Sequence, residues 1–280
     1  MSNLPMDTFN REVVTIDREL KKLETQDGPV TGYDLIAKWN ITYAKISHVL
    51  NKLHAFALEM DMYGKVAPML YELQQRVERL PYVPDIRDVT RAQNVLALSP
   101  SIVVTEDVQP DKQEPELKRV TVVQNDGAIL FDQDFLPTGI QKGALPAWDA
   151  PTSPTTPSLP LPQIWDDLTK AISGKYILAY DFVLIQMQLE VTALRFQLPI
   201  PVLIGESILD LYFAYHGTNV LPTIDEPGGA FPIPTAFYNQ LGAPFSRDAS
   251  YTPVERAARI LHILQGIANC TLTTPSQPNE

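Results

Sequence analysis

Carboxylate side chains follow two of the apolar runs that the sequence predicts to be strands. Glu106 and Asp107 come after Ile102–Val104, and Asp181 follows the run Lys175–Tyr180. If the two strands are neighbours, these carboxylates lie close together at the strand ends. Oxygen ligands of this kind bind Mg²⁺ and Mn²⁺. The pattern therefore makes Asp107 and Asp181 candidates for a rearranged site that holds one divalent metal ion.

The remaining side chains that often carry chemistry indicate structural roles. The single cysteine, Cys270, excludes an internal disulfide and a cysteine-cluster metal site, and it is typical of a reducing cytoplasm. His216 and His262 fall within predicted helices. No apolar run is long enough for a membrane helix, and the N-terminus lacks the order of a signal peptide. We therefore expect a cytoplasmic protein with no membrane association and no cofactor.

Charge is unevenly distributed along the chain. Residues 1–98 carry 12 of the 22 Lys and Arg residues and 13 of the 33 Asp and Glu residues, so most of the net charge of -11 belongs to residues 99–280. An acidic second domain repels phosphates and favours a scaffold that has no nucleic-acid ligand. The most basic segment, residues 30–54, lies in the first domain. Asp34 is its one acidic residue, and its basic residues are Lys38, Lys45, Lys52, His48 and His54.

Helical periodicity dominates residues 1–98, which we predict to form a small all-α domain. An apolar stripe predicts a first helix over Met6–Thr25. Val30–His54 then predicts a short helix, a tight turn at Asn40 and a second helix beginning near Thr42. Helical patterns continue over Ala55–Leu80 and Asp85–Leu98. A short helix, a tight turn and a second helix form the helix-turn-helix layout.

The segment 30–54 also resembles the helix-turn-helix of lactose-repressor-type regulators. Two departures are Ile36 at the close helix contact and Asn40 at the turn glycine. The resemblance implies that the second helix reads base edges in the DNA major groove through Thr42, Tyr43, Lys45 and His48. The alternative is that two short helices pack on a third and expose their lysines to solvent. The matching positions are Val30, Thr31, Tyr33, Asp34, Ser47, Val49 and Asn51.

Strand patterns begin at residue 101 and predict an α/β domain over residues 99–270, followed by a polar tail at 271–280. Three β-branched or apolar runs predict strands, and Asn125–Gly127 predicts a hairpin turn between the last two. A loop rich in Pro, Thr and Ser covers 136–163. A strand at 175–180 leads into a helix at 183–196, which we expect to bury Leu184, Met187, Val191 and Leu194. The other predicted helices lie at 164–172, 207–216, 234–242 and 253–269.

This element order, with several short motifs, resembles the DEDDh-type 3′–5′ exonucleases, which are similar to the epsilon subunit of DNA polymerase III. The motifs are QNDGAILFDQDFLP, GKYILAYDFVLIQMQLE, SILDLYFAYHG and YTPVERAARILHIL, in the order of the family. The resemblance implies a ribonuclease-H-like mixed sheet flanked by helices. It also implies two metal ions held by carboxylates, which activate water and stabilise the leaving oxygen.

The positions at which that family carries its catalytic residues are largely replaced in this chain. Thr105 and Asp107 stand at the Asp and Glu of the first strand, and Ile185 stands at the second Asp. Tyr251 and Arg256 replace the general-base His and the last Asp. Only Asp107 keeps a carboxylate, while Arg256 would bring a positive charge to a metal position.

We therefore predict a non-catalytic exonuclease-like protein that acts as a DNA- or protein-binding module. DNA would bind through the N-terminal domain, and a protein partner or a homo-oligomer is the other form of binding. One alternative is an active or residual exonuclease that depends on Mg²⁺ or Mn²⁺. The other alternative is a scaffold protein without a nucleic-acid ligand.

Overall fold

The computed structural model describes residues 4–26, 28–107, 117–134, 161–216 and 252–271. The chain divides into two compact units, residues 1–89 and 90–280. The division falls inside a helix, whereas the sequence placed the end of the first domain at residue 98. Within the described ranges, no helix combines the length and the apolar character that crossing a bilayer requires.

Unit 1 is built from helices that pack around one apolar core. Helix α1 (Leu4–Glu24) packs on α2 (Tyr33–Glu59) and on α3 (Tyr63–Glu78), and α2 also packs on α3. Helix α4 (Ile86–Ala97) begins in this unit and continues into unit 2. The predicted stripe of α1 is confirmed, since its residues are buried. Among the core residues are Phe9, Ile16, Leu20, Leu23, Trp39, Ile46, Leu50, Leu53, Val66 and Leu70.

The turn predicted at Asn40 is wrong. One continuous helix, α2, spans 27 residues from Tyr33 to Glu59, so the segment does not have the helix-turn-helix layout. Its sequence contains neither Gly nor Pro, and nothing in it therefore interrupts the backbone hydrogen bonds of the helix. The buried face runs from Ile36 to Ala57. One long helix that presents this whole face is more stable than two short helices, because each separate helix must be nucleated at a cost in free energy.

Asn40 uses its side chain for a tertiary contact instead of a turn. Its amide nitrogen donates to the carbonyl oxygens of Ile36 and Pro84, both at 3.0 Å. Its amide oxygen accepts a hydrogen bond from the backbone nitrogen of Ile86 at 3.1 Å. The Ile86 nitrogen is at the start of α4, where the helix itself offers no acceptor. Asn40 therefore acts as a cap supplied from α2.

Two substitutions at Asn40 distinguish a helix from a turn. Both Asn40→Ala and Asn40→Gly lose the three side-chain hydrogen bonds, so the difference between them reports on the backbone. In a continuous helix, Asn40→Gly is expected to be less stable than Asn40→Ala by about 1 kcal/mol. In a turn with a left-handed residue, the glycine variant would instead be the more stable one. The midpoints of urea unfolding, followed by circular dichroism, provide the comparison.

A charged network joins α1 to α3 on the surface of unit 1. The Arg76 guanidinium donates to both carboxylate oxygens of Glu24 at 2.8 Å and to Asp17 at 2.7 Å. Lys21 forms a second ion pair with Asp17 at 2.8 Å. Lys21 and Arg76 lower the pKa of Asp17 below its ordinary 3.8, and Arg76 lowers the pKa of Glu24 below its ordinary 4.5.

Stability that this network provides is expected to disappear in acid. The pKa values of Asp17 and Glu24 are lower in the folded protein than in the unfolded chain. The stability that the ion pairs contribute is therefore fully present above about pH 4.5 and is lost as the pH falls through the lowered pKa values. Arg76→Gln should cost roughly 1 kcal/mol at neutral pH, since the pairs are partly exposed, and much less in acid. Urea titrations at the two pH values measure this, with Arg79→Gln as the control. An equal loss at both pH values would contradict the assignment.

Unit 2 contains a mixed five-stranded sheet with the strand order β3-β2-β1-β4-β5. β1 (Ser101–Asp107), β2 (Leu117–Val123) and β3 (Ile129–Asp134) form an antiparallel meander, and the predicted hairpin of β2 and β3 is confirmed. β4 (Tyr176–Ala179) pairs with β1 in parallel, and β5 (Ile204–Ser207) pairs with β4 in parallel. The α/β class is therefore confirmed.

Helices cover both faces of this sheet. α5 (Leu161–Ile172) and α6 (Phe182–Phe196) share a core with the inward residues of the strands, including Val103, Val120 and Ile177. α7 (Ile208–His216) and α8 (Pro253–Ala268) contact each other, and α8 packs on β1 and β2. Because residues alternate along a strand, Ile102 and Val104 point to the face opposite Val103.

The face predicted to be buried on α6 is the wrong one. Met187 and Leu194 are 51% and 62% exposed, and Val191 is exposed as well, while Leu184 is only partly buried. The helix instead buries a face that includes two polar residues, which the hydrophobic pattern could not select. The buried residues are Ile185, Gln188, Leu189, Thr192 and Ala193.

Several predicted features lie outside the described residues. They are the helix at 234–242, most of the loop at 136–163 and nearly all of the polar tail. Tyr251 also lies outside the described part of the chain. The predicted helices at 164–172, 207–216 and 253–269 are confirmed within one to three residues at their ends.

Candidate functional site

Thr105 lies near the end of β1 and faces α6. It is two residues after Val103 on the same strand, so it shares the sheet face that α5 and α6 cover. Its hydroxyl oxygen donates to the side-chain oxygen of Gln188 at 2.8 Å. At the position where the exonuclease resemblance places a metal-binding Asp, this chain therefore has a neutral hydrogen-bonded pair.

Gln188 is the partner that the sequence analysis missed. Its side chain is only 2% exposed, and its backbone carbonyl accepts a hydrogen bond from the Thr192 hydroxyl at 2.7 Å. A buried amide is costly unless it is hydrogen-bonded, and the contact with Thr105 reduces that cost. Gln188 and Thr192 are four residues apart and share one face of α6, but this spacing does not indicate the contact with Thr105.

Ile185 lies one turn before Gln188 and belongs to the core. It is 4% exposed and packs in the same cluster as Leu189, Ala193 and Trp165. The structure therefore places a core residue at this position. An aliphatic side chain offers no oxygen to a metal ion, so this part of the site does not suit Mg²⁺ or Mn²⁺.

Asp181 has a structural task at the start of α6. Its carboxylate accepts a hydrogen bond from the backbone nitrogen of Leu184 at 3.0 Å, which makes it the N-cap of the helix. The next backbone nitrogen, that of Phe182, donates to the hydroxyl of Ser207 on β5. The structure thus gives Asp181 a cap role next to β5.

The other candidates are only partly described. Asp107 lies in β1 opposite Leu117, after an irregularity in the register, and its side chain is outside the described part of the structure. Arg256 is exposed in the first turn of α8, behind a capping box formed by Thr252 and Glu255. Among the described residues, no group of three or more His, Cys, Asp or Glu is arranged to hold a metal ion.

A second candidate site is the outward face of α2 in unit 1. Lys38, Lys45 and Lys52 are exposed and recur every seven residues, which is close to two helical turns. His48 is exposed between Lys45 and Lys52 on the same side, and Ile41 is 57% exposed between Lys38 and Lys45. We call this row of five residues the α2 lysine face.

The α2 lysine face contains two of the four residues that the sequence predicted to contact DNA. Lys45 and His48 belong to it. The hydroxyl of Thr42, however, donates to the carbonyl oxygen of Lys38 at 2.9 Å. Tyr43 is rotated from Lys45 by about 160° around the helix axis, because each residue adds about 100°. Thr42 thus lies next to Lys38 and Lys45 with its hydroxyl hydrogen-bonded to the helix backbone, whereas Tyr43 is turned away from the basic residues.

Comparisons with known proteins identify no relative. No protein-family model, curated protein or solved structure matches this chain. The function is therefore inferred from the residues and their geometry.

Proposed function

We propose that this protein is a non-catalytic exonuclease-like protein that acts as a binding module for DNA or for a protein partner. The order of elements in unit 2 supports the exonuclease-like interpretation. An antiparallel meander is followed by a helix, a parallel strand and a second helix. A mixed sheet with helices on both faces is what a ribonuclease-H-like fold requires.

The observation that carries the non-catalytic part is the contact between Thr105 and Gln188. In the exonucleases that this chain resembles, carboxylates at the positions of Thr105 and Ile185 would bind the same pair of metal ions. Here Thr105, at the first of these positions, is hydrogen-bonded to the neutral side chain of Gln188, and Ile185, at the second position, is packed in the core. These groups stabilise the packing of α6 on β1 and offer no negative charge to a cation.

A Mn²⁺ titration tests this part of the proposal. The electron paramagnetic resonance signal of free Mn²⁺ should fall no further in the presence of the wild-type protein than in the presence of the Asp107→Ala variant. Asp167→Ala is the matched control, since it removes one exposed carboxylate from α5. Stoichiometric Mn²⁺ binding that Asp107→Ala removes and Asp167→Ala keeps would overturn the proposal.

A further inference from the structure

The α2 lysine face is a straight row of positive charges. With a rise of about 1.5 Å per residue, its lysines recur at intervals of about 10 Å and the row covers about 21 Å. Seven residues fall short of two turns by only about 20° of rotation, so the three lysines remain on one side of the helix. The opposite side of α2 is buried against α1 and α3, which fixes the direction in which this row points.

Beyond Asp34, which lies four residues before Lys38 on the same side of the helix, these positive charges have no acidic neighbour before Glu59. Between Asp34 and Glu59 the sequence contains three lysines, two histidines and no acidic residue. None of the three lysines forms an ion pair within the described part of the chain, whereas Lys21, Lys22 and Arg76 in the same unit pair with carboxylates. This local excess of positive charge contrasts with the net charge of -11 of the whole chain.

We propose that the α2 lysine face binds the phosphate backbone of a nucleic acid without reading its sequence. This inference rests on the proposed function, because it names the partner of the binding module. A linear polymer of phosphates complements a linear row of cations, and contacts from lysine to phosphate provide affinity without base specificity. The continuous helix agrees with backbone binding, since it presents no separate recognition helix to the major groove.

A membrane surface suits this face less well than a nucleic acid does. Helices that bind to bilayers insert an apolar face next to their basic residues. The apolar face of α2 is occupied by the core of unit 1, and Ile41 is the one large aliphatic side chain in the α2 lysine face. Affinity of the row would therefore come from charge, and it should depend strongly on salt.

Fluorescence anisotropy of the full chain with labelled DNA tests the inference. Two unrelated single strands of equal length and one duplex are titrated at several salt concentrations. Three phosphate contacts predict a slope of log K against log salt between about -2 and -3, and the same affinity for both single-strand sequences. Lys45→Ala should reduce the steepness of that slope by about 1 for every sequence.

A charge-matched pair of triple variants provides the decisive comparison. Lys38→Glu, Lys45→Glu and Lys52→Glu together should weaken DNA binding at least tenfold. The control combines Lys65→Glu, Arg79→Glu and Lys170→Glu, which changes the net charge equally at exposed positions elsewhere. Thermal unfolding of both triple variants verifies that they fold. If the triple variant of the α2 lysine face does not fold, Lys45→Gln is the milder variant for the binding measurement.

Three results would overturn the inference. The first is an equal loss of affinity in the control triple variant, and the second is unchanged affinity in the variant of the α2 lysine face. The third is binding to vesicles of anionic lipid that is as tight as binding to DNA. The DNA-binding experiments and the Mn²⁺ titration can fail independently. A protein that binds neither DNA nor Mn²⁺ would contradict this inference but would still fit the proposed function as a protein-binding module.

Discussion

The Gly205→Ala variant is expected to lose about 3 kcal/mol of stability, because a methyl group has no space at this position. Gly205 pairs with Ile177 across β4 and β5. A β-carbon there would overlap the carbonyl oxygen of Ile177 and would lie 2.6 Å from a ring carbon of Phe182. The carbonyl belongs to the strand ladder and the ring packs against the core, so neither can move without breaking other contacts.

Urea unfolding of the full chain measures this effect, with Gly64→Ala as the matched control. Gly64 lies in α3, where a β-carbon would have no neighbouring atom within 4 Å and where the backbone φ is not in the left-handed region. Alanine at that position should leave stability unchanged or raise it by up to about 1 kcal/mol. If Gly205→Ala unfolds at the same urea concentration as the wild type, then β5 does not pair with β4 in this register.

Introducing a carboxylate at position 185 is expected to have a still larger effect. The Ile185→Asp variant places a carboxyl group among Trp165, Leu189 and Ala193 and should cost about 4 kcal/mol or more. Burial raises the pKa of the introduced carboxyl above its unfolded value, so the loss should be smallest in acid and should grow as the pH rises. Chemical unfolding at several pH values provides the measurement.

Addition of Mn²⁺ makes this substitution a test of whether residue 185 lies where a metal ion could be held. If the surroundings of residue 185 no longer form a metal site, millimolar Mn²⁺ leaves the unfolding midpoint of Ile185→Asp unchanged. Ile185→Val is the packing control and should cost about 1 kcal/mol without any dependence on pH or metal. Recovery of stability specific to Mn²⁺ would mean that the other ligands are still in place, and that the site is one substitution from function.

The sequence predicted those elements whose apolar pattern agrees with their packing. The α1 stripe is one example, and the hairpin of β2 and β3 with its turn at Asn125–Gly127 is another. In both, local preference and burial favour the same conformation. Strand β5 was missed because it has only four residues and includes Gly205 and Glu206, which give no strand pattern.

Two errors have one physical cause, which is that polar side chains take part in packing. Asn40 indicated a turn because asparagine tolerates the left-handed region, but its amide is used to hold the start of α4. On α6, Gln188 and Thr192 face the core through hydrogen bonds, and the more apolar side of the helix is exposed. Such contacts depend on residues distant in sequence, so a local pattern cannot reveal them.

The candidate sites were predictable to different extents. The sequence shows an aliphatic residue at position 185, where the exonucleases that it resembles carry a carboxylate, and the structure buries that residue in the core. The partner of Thr105 could not be predicted, because that contact depends on which face of α6 meets β1. For the α2 lysine face, the basic composition was evident, but its straight geometry follows from the absence of a turn at Asn40.

Digestion of DNA by the wild-type protein tests the central claim most directly. A single strand labelled at its 5′ end is incubated with the full chain and Mg²⁺ or Mn²⁺ at low salt, and its length and its bound fraction are measured in the same sample. We predict that the strand keeps its full length while it is bound. Metal-dependent shortening from the 3′ end that is lost in Asp107→Ala would contradict the account.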